Sequence, residues 1–327
     1  MEWIEANIYT TSEGVEVVYA TLMELGITAI QIEDFEDMKN FLETNPMNWD
    51  YVDENLLENA DKRVFVKFYL SKTPNSFEVL TALEKSLKNL KNTDVGLDLG
   101  TLLLEMKNVD DDDWKDNWKK HYKPIEIGKN VVIKPAWEEY KNDGSKIVFT
   151  IDPGHVFGTG LHQTTQLCIE QIEKYAENAK EVLDLGHGTG ILSIISMMLG
   201  AKNATAIDIE HDAIAIAYEN AEKNGIAKER YHVLCGNALA DENIKNTLRT
   251  KKYNLVIANI VADVIIGFAD FVCEVMEEDG VFICSGIIDT RVLDVSEALK
   301  GTGFEIVSQN SKDDWYCIVA KKRLPNE

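Results

Sequence analysis

Three short stretches of this 327-residue chain carry residue types whose spacing suits chemistry. The first is Val182-Leu183-Asp184-Leu185-Gly186-His187-Gly188-Thr189-Gly190. An apolar, strand-like run enters a turn with glycines at alternate positions, and a helical pattern starts directly after it. Gly186, Gly188 and Gly190 let the backbone pass close to a ligand and open the N-terminus of the next helix towards it. The GxGxG spacing departs from the GxGxxG of dinucleotide dehydrogenases. The second stretch is Ala204-Thr205-Ala206-Ile207-Asp208, a further strand pattern ending in an acid. A carboxylate there can accept both hydroxyls of an adenosine ribose, and it can equally cap the helix that follows. Asn237, after the next strand pattern, falls where adenine contacts are expected. The third stretch is Asn259-Ile260-Val261-Ala262. The Asn259 side-chain carbonyl and the neighbouring backbone carbonyl at Ile260 can both accept hydrogen bonds from an amine, holding a nucleophilic nitrogen with its lone pair free. Asn259 as a simple helix cap is the competing reading.

A second glycine-rich loop lies upstream, Asp152-Pro153-Gly154-His155-Val156-Phe157-Gly158-Thr159-Gly160-Leu161-His162-Gln163-Thr164-Thr165. It lacks the lysine of a phosphate-binding P-loop, which argues against nucleotide hydrolysis. Thr164 and Thr165 can cap the helix that follows or lend hydroxyls to the carboxylate of a bound amino-acid moiety, and Phe157 can cover a cofactor. His155, His162 and His187 have no carboxylates at ligand spacing, so no metal site is expected. The five cysteines include no CxxC pair and read as buried, reduced thiols.

These loops need elements to position them. From residue 181 onward, strand patterns at 181–186, 203–208, 231–236, 254–260 and 280–287 alternate with helical patterns near 190–199, 211–224, 262–276 and 291–301. That alternation predicts a doubly wound parallel sheet, which binds ligands at the carboxyl ends of its strands. The last two strand patterns, 305–310 and 315–321, have only Ser311-Lys312-Asp313-Asp314 between them and must pair antiparallel. The first hundred residues read differently. Ile4, Ala6 and Ile8 alternate with polar neighbours, Val17, Ala20, Leu22 and Leu25 suggest a helix, and strands follow at 29–32 and 64–68. A helix with Val79, Leu80, Leu83, Leu87 and Leu90 on one face and a strand near 98–107 complete the series. The order β-α-β-β-α-β is ferredoxin-like. The expected organisation is a ferredoxin-like α+β domain over 1–108, a linker over 109–143 whose Trp114, Trp118 and Tyr122 share one helical face, and an α/β domain over 144–327.

Composition narrows the function. With 45% apolar residues the chain can bury a sizeable core. No run approaches the ~18 apolar residues of a membrane span, and the start Met1-Glu2-Trp3-Ile4-Glu5 has no signal-peptide pattern, so the expected compartment is the cytoplasm. The net charge of −23 disfavours direct contact with nucleic acid and favours a basic protein partner.

Taken together, loop 152–165, the glycine loop 184–190, Asp208 and Asn259-Ile260-Val261-Ala262 resemble the ribosomal protein L-eleven methyltransferase family, whose motifs run roughly DPGxAFGTGxHxTT, LDxGCGSG and NIxA. The ferredoxin-like segment, the Trp-rich linker and the closing Trp315 segment extend the resemblance to nearly the whole chain. It implies a Rossmann-like class I methyltransferase domain that takes S-adenosyl-L-methionine. The reaction implied is methylation of lysine ε-amines and an N-terminal α-amine on one basic large-subunit ribosomal protein, free or on the subunit. The small N-terminal domain would recognise that substrate. Thr165, Gly186, Asp208 and Asn259 would contact the cofactor, with Asn259 also beside the incoming amine. Val156, His155 and His187 depart from the family pattern; none removes a glycine or the ribose acid. Three other readings stay open: the same chemistry on another protein or small amine, a nicotinamide oxidoreductase, and a catalytically silent cofactor-binding module.

Overall fold

The computed structural model describes residues 3–27, 29–34, 63–71, 74–93, 96–107, 122–152 and 158–323. They gather into two compact units, Met1–His121 and Tyr122–Glu327. The first contains β1 (Trp3–Thr10), α1 (Val15–Glu24), β2 (Ile30–Glu33), β3 (Val64–Ser71), α2 (Pro74–Asn92) and β4 (Leu103–Lys107). The sheet order is β2-β3-β1-β4, and every neighbouring pair is antiparallel. Because side chains alternate along a strand, Ile4, Ala6 and Ile8 all point to one face, and each is fully buried. Val79, Leu80, Leu83 and Leu87 give α2 its buried stripe, with Leu90 half-buried at its end. On α1 the buried residues are Val15, Val18, Thr21 and Leu22, whereas Ala20 is exposed and Val17 only half-buried. The helix begins at Val15, and the i, i+3, i+7 series from there sets the face. The apolar positions 17 and 20 lie on its outer side.

In the second unit, β8 (Glu181–Leu185), β9 (Asn203–Asp208), β10 (Tyr231–Cys235), β11 (Tyr253–Asn259) and β12 (Met276–Ile288) are parallel; β14 (Trp315–Lys322) pairs antiparallel with β12, and β13 (Phe304–Lys312) antiparallel with β14. The order is β10-β9-β8-β11-β12-β14-β13. The strand reversal between β8 and β11 puts the carboxyl ends of β8, β9 and β11 around one crevice, the switch point of an open α/β sheet. The helices are α3 (Gln163–Tyr175), α4 (Ile191–Met198), α5 (His211–Lys223), α6 (Glu242–Leu248), α7 (Ala262–Val275) and α8 (Val292–Gly301). Ile265, Phe268, Ala269 and Val272 of α7 pack with Phe282 of β12 and Phe304 of β13 in one buried cluster. Each of the larger of these side chains contributes about 1.5–3 kcal/mol on burial.

Two parts were not legible from pattern. Residues 125–135, counted with the linker, form β5 (Ile125–Ile127) and β6 (Val131–Pro135), which join β7 (Ile147–Ile151) in a separate three-stranded sheet. The Glu173 carboxylate of α3 clasps the β5–β6 turn, accepting the N–H groups of Lys129 and Asn130. The short α6 is almost entirely polar, buries only Leu248 and starts at an Asp241 cap. Trp114 and Trp118 lie outside the described residues. Tyr122 is fully buried, and its hydroxyl donates to the Thr159 carbonyl. Among the described residues no helix is long and apolar enough to cross a membrane.

Candidate active site

The floor of the crevice is the glycine loop. The Gly186 and His187 N–H groups both donate to the Ile207 carbonyl, at 2.8 and 3.2 Å, so the loop leaves β8 tied to β9. Gly186 and Gly190 have φ of +77° and +79°, where a side chain is strained. Packing demands glycine there as well. A Cβ on Gly186 would lie 2.4 Å from Ile260 Cγ2, and one on Gly190 2.6 Å from the Tyr231 hydroxyl. Close approach by a ligand is therefore not the sole reason for these glycines.

Asp208 is half-buried at the end of β9. Its Oδ2 accepts the Gly188 N–H at 2.9 Å and its Oδ1 the Glu210 N–H at 3.0 Å. The N-cap of α5 is Glu210, not Asp208. A carboxylate offers about four lone-pair positions, so two backbone bonds orient the group and leave capacity for further donors. Asn237 is exposed; the preceding Gly236 N–H donates to the Asp208 carbonyl at 2.8 Å, which sets Asn237 beside Asp208. The Asn237 Oδ1 accepts the Leu239 N–H at 2.9 Å and so also braces its own turn.

Across the crevice, the Asn259 Nδ2 donates to Thr165 Oγ1 at 3.3 Å. That bond fixes the amide plane and leaves the side-chain carbonyl on its opposite side. The Ile260 N–H donates to the Ser285 carbonyl at 3.0 Å. A Cβ on Gly286 would sit 2.4 Å from the Ile260 carbonyl oxygen, so glycine keeps that oxygen clear. Thr164 and Thr165 are both buried at the start of α3. Neither caps the helix. The cap is His162, whose Nδ1 accepts the Thr164 N–H at 3.3 Å and lies 2.8 Å from the Thr164 hydroxyl. The His162 ring packs edge-on against Trp315 at 4.8 Å. Phe157, like His155 and Val156, lies outside the described residues.

Two buried residues near the crevice, Asp184 and Asn220, escaped sequence reasoning, and His187 enters it only as a departure from the family pattern. Asp184 is fully buried; its Oδ2 accepts the Ser193 N–H at 3.1 Å while its Oδ1 has no partner among the described residues. Burial pushes its carboxyl up to about 7, against the opposing pull of the Ser193 hydrogen bonds. The imidazole of His187 is only 3% exposed, with Nδ1 2.8 Å from the Gly188 carbonyl. Burial holds its pKa below the usual histidine range, and the Asp208 carboxylate works the other way. On α5, Asn220 is fully buried among Ala213, Ala217 and Ala221. An asparagine on an otherwise small apolar face was the signal that could have found it. Among the described residues no group of three or more His, Cys, Asp or Glu side chains is placed to hold a metal ion.

The donors and acceptors suit an adenosine bearing a cationic amino-acid arm. A half-buried carboxylate lies at one strand end, paired carbonyls at another, and buried threonines between. The sheet order is that of a Rossmann-like α/β domain, the fold of the class I methyltransferases. The model of the ribosomal protein L11 methyltransferase (PrmA) family matches residues 2–323, and the chain belongs to that family. The ribosomal protein L11 methyltransferases of Clostridium perfringens strains SM101 and 13 are each 38% identical to it over 319 residues, covering 98% of both chains. The crystal structure of ribosomal protein L11 methylase from Lactobacillus delbrueckii subsp. bulgaricus is 31% identical, with a TM-score of 0.56 over 62% of this chain and 100% of that one.

Proposed function

We propose that this chain transfers methyl groups from S-adenosylmethionine to amines of ribosomal protein L11, at lysine ε-amino groups and the N-terminal α-amine. Family membership carries the methyltransferase activity, the cofactor and L11 as substrate. The observation that carries the chemistry is the pair of acceptors at Asn259 and Ile260, one oriented by Thr165 and the other kept clear by Gly286.

The bound cofactor supplies an electrophilic methyl on sulfonium; alignment and exclusion of water are the protein's share. Asp208 would accept the ribose hydroxyls, with its carboxylate already oriented by the Gly188 and Glu210 N–H groups. Asn237 would border the adenine, and Gly186, Gly188 and Gly190 would line the path of the arm. Thr164 and Thr165 stand near the amino-acid end, and Phe157 would cover it. A lysine amine, with a reference pKa of about 10.4, is mostly protonated at neutral pH and must lose a proton before it attacks. Two carbonyl acceptors at Asn259 and Ile260 hold the neutral amine by its N–H bonds, which leaves the lone pair for the methyl. No side chain is assigned as a dedicated base; water takes the proton.

The first unit is proposed to recognise L11, and the net charge of −23 suits a basic partner. The cytoplasm is the expected compartment. A silent cofactor-binding module is the competing reading. Calorimetry of wild-type and Asn259→Ala protein with S-adenosylmethionine, followed by labelled methyl transfer to L11, separates the two. Transfer by the wild type, lost in a variant that still binds the cofactor, supports an enzyme. Cofactor binding with no transfer to L11 by either protein moves the weight to another substrate or to the silent module.

A further inference from the structure

Asp152 and Gly158, which flank residues 153–157, are both tied to one residue of the glycine loop. The Asp152 N–H donates to Asn220 Oδ1 at 3.0 Å, and Asn220 Nδ2 donates to the Thr189 carbonyl at 3.1 Å. The Thr189 hydroxyl donates to the Gly158 carbonyl at 2.7 Å. Thr189 and Asn220 are both fully buried, so the two bonds made by Thr189 are shielded from water. The fit is close: a Cβ on Gly158 would lie 2.7 Å from Thr189 Oγ1. At the C-terminal cap of α5, Asn224 accepts the Thr150 N–H and donates to the Thr150 carbonyl, each at 2.7 Å. It holds the end of β7 as a neighbouring strand would. Downstream of Gly158 the chain runs directly to Thr165, whose partner across the crevice is Asn259.

We infer that Thr189 is a positioning residue. Its hydroxyl locks the run from Gly158 to Thr165 against the glycine loop, so cofactor-binding groups from the two glycine-rich loops form one preset site. The inference deepens the methyltransferase reading and rests on it. Preorganisation of this kind lowers the ordering cost of binding, so the tie is read in cofactor affinity rather than in recognition of the protein substrate.

The test compares Thr189→Val, which removes the hydroxyl at nearly constant volume, with Thr189→Ser, which keeps it. Calorimetry gives the Kd for S-adenosylmethionine, and amide hydrogen exchange on the free protein gives the protection of residues 158–165. Thr189→Val should raise the Kd about tenfold and speed exchange over 158–165, leaving β11 unchanged. Thr189→Ser should match the wild type in both, and the KM for the protein substrate should stay the same. Asn220→Asp keeps the acceptor for Asp152 and loses the donor to Thr189, so it should weaken cofactor binding in the same sense. Wild-type affinity and exchange in Thr189→Val overturn the inference, as does a Thr189→Ser variant as impaired as Thr189→Val. Wild-type protein that binds no S-adenosylmethionine counts against the methyltransferase reading instead, and the exchange contrast still decides the role of Thr189.

Discussion

The two units bury polar groups in different ways. In the first unit, buried polar side chains are scattered and several serve local structure. The Thr21 hydroxyl donates to the Val17 carbonyl one turn back, and the Ser76 hydroxyl to the Ser71 carbonyl. In the second unit most fall between Thr159 and Asn220, and the bonds of Thr189 and Asn220 join residues 31 apart in sequence. Burying a polar group costs free energy unless it is hydrogen-bonded. A region whose buried polar groups bond to one another across two loops is held in one geometry. The first unit is a sheet-and-helix platform stabilised by apolar burial; the second is a platform with a polar constellation set into one end. The proposed chemistry is placed at that end.

The largest expected effect tests the polar end directly. Asn259→Ala should slow methyl transfer about 10²–10³-fold, the usual loss for one well-placed polar group in a site, with a far smaller change in cofactor Kd. Single-turnover rates with saturating S-adenosylmethionine check this. Next comes Asp208→Ala, which removes the proposed ribose acceptor. Two charge-assisted hydrogen bonds lost should raise the cofactor Kd roughly a hundredfold by calorimetry.

A change in the first unit can break the comparison. Ile8→Ala, at a fully buried strand position, should cost about 2–5 kcal/mol of that unit's stability in a denaturant titration. It should leave the S-adenosylmethionine Kd unchanged and raise the KM for L11. An equal loss of cofactor affinity would mean the two units do not divide the work as argued.

Titration of one buried carboxyl sharpens it. Asp184 has its folded pKa raised to about 7 from an ordinary carboxylate value of 3.8, so the folded protein holds a proton that the unfolded chain releases. Its contribution to stability is present at low pH and is lost as pH rises between those two values, with a slope of at most about 1.4 kcal/mol per pH unit. Stability measured from pH 4 to 8 should show this loss in the wild type and not in Asp184→Asn. Parallel curves for the two proteins would remove the buried carboxyl from the account.

Much of this was legible in the sequence because period and punctuation carried it. The alternating Ile4, Ala6 and Ile8 and the strand–helix series after residue 181 match observed elements, and the short spacer at 311–314 forced the antiparallel hairpin. The glycine loop, Asp208 and Asn259 announced themselves by residue type at a strand end. What escaped depends on contacts between distant residues. Nothing local marks β5 and β6 as a sheet with β7, because their partners are set by Glu173 and by the strand 147–151. His162, rather than a threonine, caps α3 because its ring also packs on Trp315 from the far end of the chain. Asp184 looked like one letter of a motif, and only its complete burial reveals its shifted carboxyl.

The most direct test is transfer of labelled methyl from S-adenosylmethionine to purified ribosomal protein L11. The wild type should place label on amines of L11, and the Asn259→Ala variant, binding the cofactor, should place almost none. A wild-type protein that binds S-adenosylmethionine yet leaves L11 unlabelled, free or on the large subunit, would contradict the account.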